Sequence, residues 1–187
     1  MKGLFRNGAV VAVLLMVSAC GSIPRPGGST SSGPDGIACV GLVEQLPAGL
    51  VESADAALLD AARGATGKGG VCDGKTVVVE QGLRLYRVHD SSRAGSAHGR
   101  WWALARPAGP RDAYRESYAI CRTWSALDHL VSCSAIPGAQ LVIGTTQSVD
   151  CDEGTLRKSS NLQVYVPNDQ AAGKLYVENC TDEGAWP

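Results

Sequence analysis

The sequence predicts an α+β domain in which N-terminal helices precede a mostly antiparallel, β-rich body that three disulfide bonds staple together. Apolar residues at helical spacing are concentrated before residue 64, whereas short runs rich in Val, Ile, Leu and Tyr follow. Strands and helices do not alternate regularly, which disfavours a parallel sheet. One of the seven cysteines closely follows an N-terminal apolar run. The other six are an even number, which is typical of cysteines that pair in disulfide bonds.

The N-terminus has the layout of a secretory signal peptide. Lys2 and Arg6 supply a positive region, residues 9–17 are an unbroken apolar run, and small residues precede Cys20. The run is too short for a membrane-spanning helix, which needs about 20 apolar residues. An ordinary signal peptide cut near this point is the remaining alternative to the interpretation that follows.

The end of this segment, Val17-Ser18-Ala19-Cys20, resembles the bacterial lipobox. In that family the peptide is cut before the cysteine, and the cysteine thiol then carries a lipid with fatty acyl chains such as palmitate. The resemblance implies a signal peptide of residues 1–19 and a lipoprotein anchored to the cell membrane through Cys20. The protein would face the extracytoplasmic side of that membrane.

The rest of the chain is predicted to be a tether and one domain. Residues 20–37 follow the lipidated cysteine with a Gly-, Ser- and Pro-rich stretch that has almost nothing to bury, which is typical of a flexible tether. Residues 38–187 are long enough for a single disulfide-stabilised domain. Without residues 1–19 the chain has 15 basic and 18 acidic residues, so its charge of −3 gives no case for nucleic acid binding.

The domain begins with predicted helices and continues with strands. Apolar spacing indicates two helical pieces over residues 39–63, which Pro47 separates. Another helix is predicted over residues 112–121, with Tyr114 and Tyr118 on one stripe. β-branched and aromatic runs predict strands at residues 76–79, 83–88, 130–136, 140–143, 162–166 and 175–178.

The six remaining cysteines indicate disulfide bonds, because the chain is predicted to be exported. Six cysteines allow about 15 pairings, and sequence alone does not choose among them. We favour the sequential pairing, in which each bond closes a modest loop: Cys39–Cys72, Cys121–Cys133 and Cys151–Cys180. No metal site is predicted, because there is no C-x-x-C motif and the three histidines lack ligand spacing.

Arg87 stands out within the second predicted strand. It shares a strand face with Leu83, Leu85 and His89, so the alternation places a guanidinium toward the interior or a cleft. A buried guanidinium is costly unless it is paired. Arg87 therefore either forms a structural salt bridge with an interior carboxylate or binds an anionic ligand. The forked guanidinium matches the geometry of a phosphate.

Two further places carry aromatic or amide side chains of interest. Trp101 and Trp102 are adjacent, so in an extended backbone one faces the core and the other faces out. Either both simply pack, or one lines a pocket and stacks on a planar ring. Gln163 and Tyr165 share one face of the strand at residues 162–166, and that face lies either in solvent or in a cleft.

Four motifs follow one another along the chain: Leu85-Tyr86-Arg87-Val88, Gly99-Arg100-Trp101-Trp102, Pro107-Ala108-Gly109-Pro110 and Gln163-Val164-Tyr165-Val166-Pro167. In this order they resemble the ADP-ribosyltransferase-like (ART-like) toxin domains of secreted bacterial toxins and their NAD-glycohydrolase relatives. The resemblance covers residues 83–168, about half of the mature chain. It implies an ART-like fold that binds NAD as a substrate and cleaves it, by hydrolysis or by ADP-ribosyl transfer to an unknown protein acceptor.

The resemblance also implies roles for single residues. Arg87 matches the arginine that grips the NAD phosphates, and Gln163 matches the Glu or Gln near the nicotinamide ribose. Trp101 or Trp102 helps to form the nicotinamide pocket, with Tyr165 beside Gln163. The chain departs from the family, because no Glu-x-Glu pair and no Gly-rich run precede Gln163. A non-catalytic surface lipoprotein that binds a protein or a small ligand is the alternative function.

Overall fold

A computed structural model describes residues 30–187 as a sheet-dominated domain with two α-helices. The predicted signal peptide and Cys20 lie outside the described residues. In chain order the elements are β1 (Leu50–Glu52), α1 (Ala56–Arg63), β2 (Val71–Val79), β3 (Arg84–His89), β4 (Trp101–Ala103), α2 (Arg111–Tyr118), β5 (His129–Ala135), β6 (Gln140–Thr146), β7 (Val149–Cys151), β8 (Gly154–Leu156), β9 (Ser159–Tyr165) and β10 (Val177–Ala185). Short 3₁₀ turns cover Ser96–His98 and Arg122–Trp124.

Eight strands form one sheet in the order β1-β2-β6-β9-β4-β3-β5-β10, and β7 and β8 form a separate hairpin. Every pair of neighbouring strands is antiparallel. The predicted antiparallel, β-rich body with three disulfide bonds is therefore confirmed. The shortest strands, with three residues each, are too short for alternation to reveal them in the sequence.

The predicted N-terminal helices are wrong except for the last eight residues of that segment, which form α1. Residues 50–52 are a strand instead, because their backbone pairs with Val77–Val79 of β2. Gly49 has φ of 85°, which a right-handed helix does not allow. The helix begins only after Asp55, whose carboxylate accepts a hydrogen bond from the Leu58 N–H at 2.9 Å. The apolar spacing before Asp55 thus reflects packing of loop and strand residues.

The sheet buries side chains on both faces. One face carries the main core, and its strand residues include Val77, Leu85, Trp102, Leu141, Ile143 and Val164. On the other face α1 packs over Val71, Val142 and Tyr165, while α2 packs over the β3–β5 part of the sheet through Tyr114. The two helices therefore cover separate halves of this second face, and the space between them is where a site can form.

The disulfide bonds join Cys39 to Cys72, Cys121 to Cys151 and Cys133 to Cys180. The sequential pairings Cys121–Cys133 and Cys151–Cys180 are therefore wrong. Cys133 lies on β5 beside β10, where Asn179 and Cys180 together oppose it in a bulge. This bulge brings the Cα atoms of Cys133 and Cys180 within 4.1 Å. Sequence distance misleads here because strand pairing, not loop length, decides which cysteines meet.

The predicted tether does not remain free over its whole length, because residues 32–38 fold back onto the domain. Lys158 Nζ donates to an oxygen of Asp35 at 2.8 Å and to the carbonyl of Ile37 at 2.7 Å. Thr66 donates to the carbonyl of Pro34. The Lys158 and Asp35 side chains are only 8% and 12% exposed, so this ion pair is well enclosed. Within residues 30–187 no helix has the length and apolarity that crossing a membrane requires.

Replacing Cys133 and Cys180 together by Ser should lower the free energy of unfolding by about 2–4 kcal/mol, because the bond closes a long loop in the unfolded chain. Urea unfolding followed by circular dichroism measures this change. Peptide mapping of the unreduced wild-type protein checks the connectivity of the structure, in which Cys133 is bonded to Cys180. A peptide that contains Cys121 bonded to Cys133 would contradict the structure.

Candidate functional site

A cavity of about 170 Å³ lies on the second face of the sheet, between α2 and the loop that joins α1 to β2. It forms where the sheet is least complete. β3 and β4 share a single registered pair, Tyr86 with Ala103, whereas β3 and β5 are paired over their whole length. Continued pairing would place Arg87 opposite Trp102. Instead, the strands part at this level, and the gap between them opens into the cavity.

Arg87 lies in this gap and is held there by backbone carbonyls. Its Nε donates to the Ser96 carbonyl and its Nη1 to the Trp101 carbonyl, both at 2.7 Å. Gly99 permits this position, because a Cβ there would collide with the guanidinium. The side chain thus bridges the strands where their backbone pairing stops.

No ion pair of residues 30–187 involves Arg87. The structural salt bridge that the sequence left open is therefore absent from the described part of the chain. Burial lowers the pKa of Arg87 to about 10, which still leaves it charged at neutral pH. Three of its five N–H groups take no part in the two hydrogen bonds to carbonyls. A cation with free donors thus faces the cavity, and no described residue of the cavity lining supplies a countercharge.

Gln163 lines the same cavity from β9, two strands away from Arg87. With about 4.8 Å between neighbouring strands, the two backbones lie roughly 10 Å apart. Gln163 Nε2 donates to the Gly70 carbonyl at 2.6 Å. A carbonyl only accepts, so this contact fixes the orientation of the amide and leaves Oε1 as an acceptor for a ligand. Gln163 is only 5% exposed, which keeps its amide in a single position.

Gly70, whose carbonyl accepts from Gln163, packs against the C-terminal end of α1. Its φ is 95°, and a Cβ at this position would lie 2.5 Å from the Ala62 carbonyl oxygen. The same Gly70 carbonyl also accepts from the Gln147 N–H at 2.9 Å. A backbone that only glycine adopts easily thus sets the position of the glutamine.

Both predicted tryptophans line the cavity, but their surroundings differ. Trp102 is buried in the main core, and its indole N–H donates to the Gly99 carbonyl at 2.8 Å. Trp101 lies on the opposite face, and its ring packs edge-on against Tyr165 at 5.1 Å between centroids. Tyr165 itself is buried against Val71 and Val142 and is not among the residues that line the cavity. Its position is that of a support behind Trp101.

The far wall of the cavity comes from α2 and the loop after it. Tyr114 and Tyr118 contribute their rings, and burial raises the pKa of both phenols, so they stay neutral donors. Arg115 is 6% exposed and braces the loop by donating to the carbonyls of Cys121, Ser125 and Ala126. The wall is therefore braced by Arg115 and combines aromatic with aliphatic side chains.

The cavity has a positive character. Its described lining includes Arg87 and Lys68 but no aspartate and no glutamate. Sequence reasoning missed Lys68, Gly70, Tyr118 and Trp124 as site residues. The tyrosine stripe on α2 was visible in the sequence, but nothing there placed it against β3 and β4. Lys68 and Gly70 lie on a loop and Trp124 ends a three-residue 3₁₀ turn, so no periodicity exists to reveal them.

Comparison with known proteins identifies no relative that assigns a function. No family model and no curated protein matches the chain. A solved structure, that of Tne2 in complex with Tni2, matches with a TM-score of 0.48 and 15% sequence identity. The match covers 62% of this chain and 93% of that one. Similarity at this level does not bear on the chemistry of the site.

Replacing Gly99 by Ala should displace the Arg87 guanidinium and break its bonds to the Ser96 and Trp101 carbonyls. Hydrogen bonds of a charged group contribute about 1.5–3 kcal/mol each, so losing both should lower the free energy of unfolding by about 3–6 kcal/mol. Gly82→Ala is the matched control, because a Cβ there meets nothing within 4 Å. Urea unfolding of both variants gives the comparison. Equal stabilities would show that the guanidinium is not fixed as described.

Proposed function

We propose that this domain binds NAD in the cavity and hydrolyses the bond between nicotinamide and ribose. The observation that carries the proposal is the convergence of Arg87, Trp101, Trp102 and Gln163 on one cavity. These residues come from three neighbouring strands, and the sequence resemblance assigns each a part in NAD recognition. The proposal includes an ART-like fold. It is supported by the antiparallel sheet, in which β3 and β4 separate after a single registered pair.

In this proposal Arg87 binds the pyrophosphate. The cation has no carboxylate partner among residues 30–187, and three of its N–H groups are free for phosphate oxygens. Charge-assisted hydrogen bonds of this kind are shorter and stronger than neutral ones. The two carbonyls that hold Arg87 also pre-organise it, so less conformational entropy is lost on binding.

The enclosed part of the cavity has the size of one aromatic ring. Cavities of about 150 Å³ hold benzene, so about 170 Å³ is room for nicotinamide but not for a dinucleotide. Trp101 and the tyrosines of α2 supply aromatic walls for a planar ring. The remainder of NAD would then extend from the cavity through its mouth.

Gln163 would contact the ribose next to the scissile bond. Its Oε1 accepts a hydrogen bond from a ribose hydroxyl, while its Nε2 remains on the Gly70 carbonyl. Cleavage passes through an oxocarbenium-like state, in which the nitrogen of nicotinamide takes the bonding electron pair and leaves as a neutral ring. Holding the hydroxyl orients the sugar as its ring flattens. A neutral amide does this without acting as a base.

Water is the acceptor in this reaction. The water oxygen bonds to the anomeric carbon and releases one proton, so NAD and water give ADP-ribose, nicotinamide and a proton. None of the described residues that line the cavity is a carboxylate able to deprotonate a protein nucleophile. An oxocarbenium ion is electrophilic enough for water without such a base. This favours hydrolysis over ADP-ribosyl transfer.

The full chain, purified in a mild detergent, should release nicotinamide from NAD. Arg87→Ala should raise KM by about 10–100-fold, because charge-assisted hydrogen bonds to the pyrophosphate are lost. Arg84→Ala is the matched control, since Arg84 lies on the same strand but does not line the cavity. The readout is chromatographic detection of nicotinamide. Equal KM values for the two variants would contradict the role of Arg87.

Gln163→Ala should lower kcat by about 10–100-fold with a smaller change in KM, because its contact strengthens in the transition state. Gln140→Ala on the exposed end of β6 is the control.

A wild-type protein that binds NAD without releasing nicotinamide would support the alternative, a non-catalytic lipoprotein that uses the cavity for recognition.

We also propose that the protein is lipid-anchored to the cell membrane through Cys20, on the sequence pattern alone. Cys20→Ala should then release the protein from the membrane fraction or leave an uncleaved precursor. Fractionation with immunodetection measures this outcome, and Cys20→Ser should behave in the same way. Normal processing and unchanged membrane association of these variants would contradict the lipobox interpretation.

A further inference from the structure

We infer that Trp124 and Lys68 form a second subsite at the mouth of the cavity, which binds the adenine ring and an adjacent phosphate. The inference rests on the proposed function and extends it to the adenosine half of the substrate. Both residues line the cavity, and both are exposed to solvent. They therefore lie where the dinucleotide would leave the enclosed part of the cavity.

Trp124 is 45% exposed, and single exposed apolar side chains are common on protein surfaces. Its position distinguishes it from the others. The remaining large apolar residues with high exposure, Ile37, Val40, Leu42, Val51 and Leu175, do not line the cavity. Among the described large apolar residues with high exposure, Trp124 is therefore the one that also belongs to the cavity wall.

The backbone beneath Trp124 is held in place from several directions. Its N–H donates to the Cys121 carbonyl at 3.1 Å, and its carbonyl accepts from Arg93 Nη1 at 2.8 Å. Cys121 is bonded to Cys151, and the neighbouring Arg122 pairs with Asp112 at 2.8 Å. An indole on such a fixed backbone offers a planar surface and loses little conformational entropy when a ligand binds. Stacking on an adenine ring requires such a surface.

Lys68 belongs to the loop on the other side of the mouth. The next residue, Gly69, lies under the edge of the Trp124 ring, because a Cβ there would be 3.7 Å from Cη2. Lys68 itself forms no ion pair with residues 30–187. A planar aromatic surface beside a free ammonium group matches an aromatic base that carries a phosphate. The cavity is too small for two rings, so this second ring binds at the mouth.

ADP tests the subsite separately from catalysis, because it has the adenine ring and phosphates but no nicotinamide. Isothermal titration of the full chain in mild detergent should show ADP binding. Trp124→Ala and Lys68→Met should each weaken it by about 10-fold, whereas Trp124→Phe should stay within about three-fold of wild type. Leu175→Ala and Lys174→Met are the matched controls, since neither residue lines the cavity, and they should leave ADP binding unchanged.

A second measurement uses cleavage. Trp124→Ala should raise KM for NAD by about 10-fold but leave KM for nicotinamide mononucleotide unchanged, because the mononucleotide lacks adenine. If wild type fails to bind ADP, or if Trp124→Ala binds it as well as Leu175→Ala, the subsite is overturned even where NAD is cleaved. If ADP binding depends on Trp124 but NAD is not cleaved, the subsite stands and the proposed hydrolysis is overturned.

Discussion

The site depends on a guanidinium that occupies a gap in the sheet. Where β3 and β4 stop pairing, the Arg87 side chain donates to the Trp101 carbonyl of β4 and to the Ser96 carbonyl of the 3₁₀ turn between the two strands. Unpaired strand backbone would otherwise carry the cost of unsatisfied polar groups. The Arg87 side chain thus satisfies backbone carbonyls at the gap and also brings a positive charge to the cavity. A structural role and a role in ligand binding are therefore compatible for this residue.

The rest of the fold keeps the surroundings of this charge rigid. Gly70 fixes the amide of Gln163, and Tyr165 supports the ring of Trp101 from behind. Arg115 and the Cys121–Cys151 bond hold the part of the far wall that follows α2, where only a short 3₁₀ turn is regular. Cys121 is itself buried against Ala119 and Val149, so this disulfide bond ties the loop to a small apolar cluster.

Sequence reasoning identified the antiparallel sheet and at least part of six of its strands, because alternation along a strand is a local signal, but it missed β1, β4, β7 and β8. It placed Arg87, Trp101, Trp102 and Gln163 as candidates that the structure gathers at one cavity. It failed over residues 39–55, where loop and strand residues imitate helical spacing, and in pairing four of the cysteines. Those failures share a cause, because strand register and loop packing depend on residues that are distant in the chain.

The charge of the cavity also constrains the chemistry it can support. An oxocarbenium ion is positive, and a cavity whose described charges are Arg87 and Lys68 would disfavour it in the absence of an anion. In the proposed function the pyrophosphate of NAD would bring that anion, so the substrate itself would neutralise the cations and the site would favour the transition state. Such a site would bind NAD through its phosphates and orient the ribose through Gln163, without a carboxylate of its own. This accounts for a cavity in which recognition groups are plentiful and a general base is missing among the described residues.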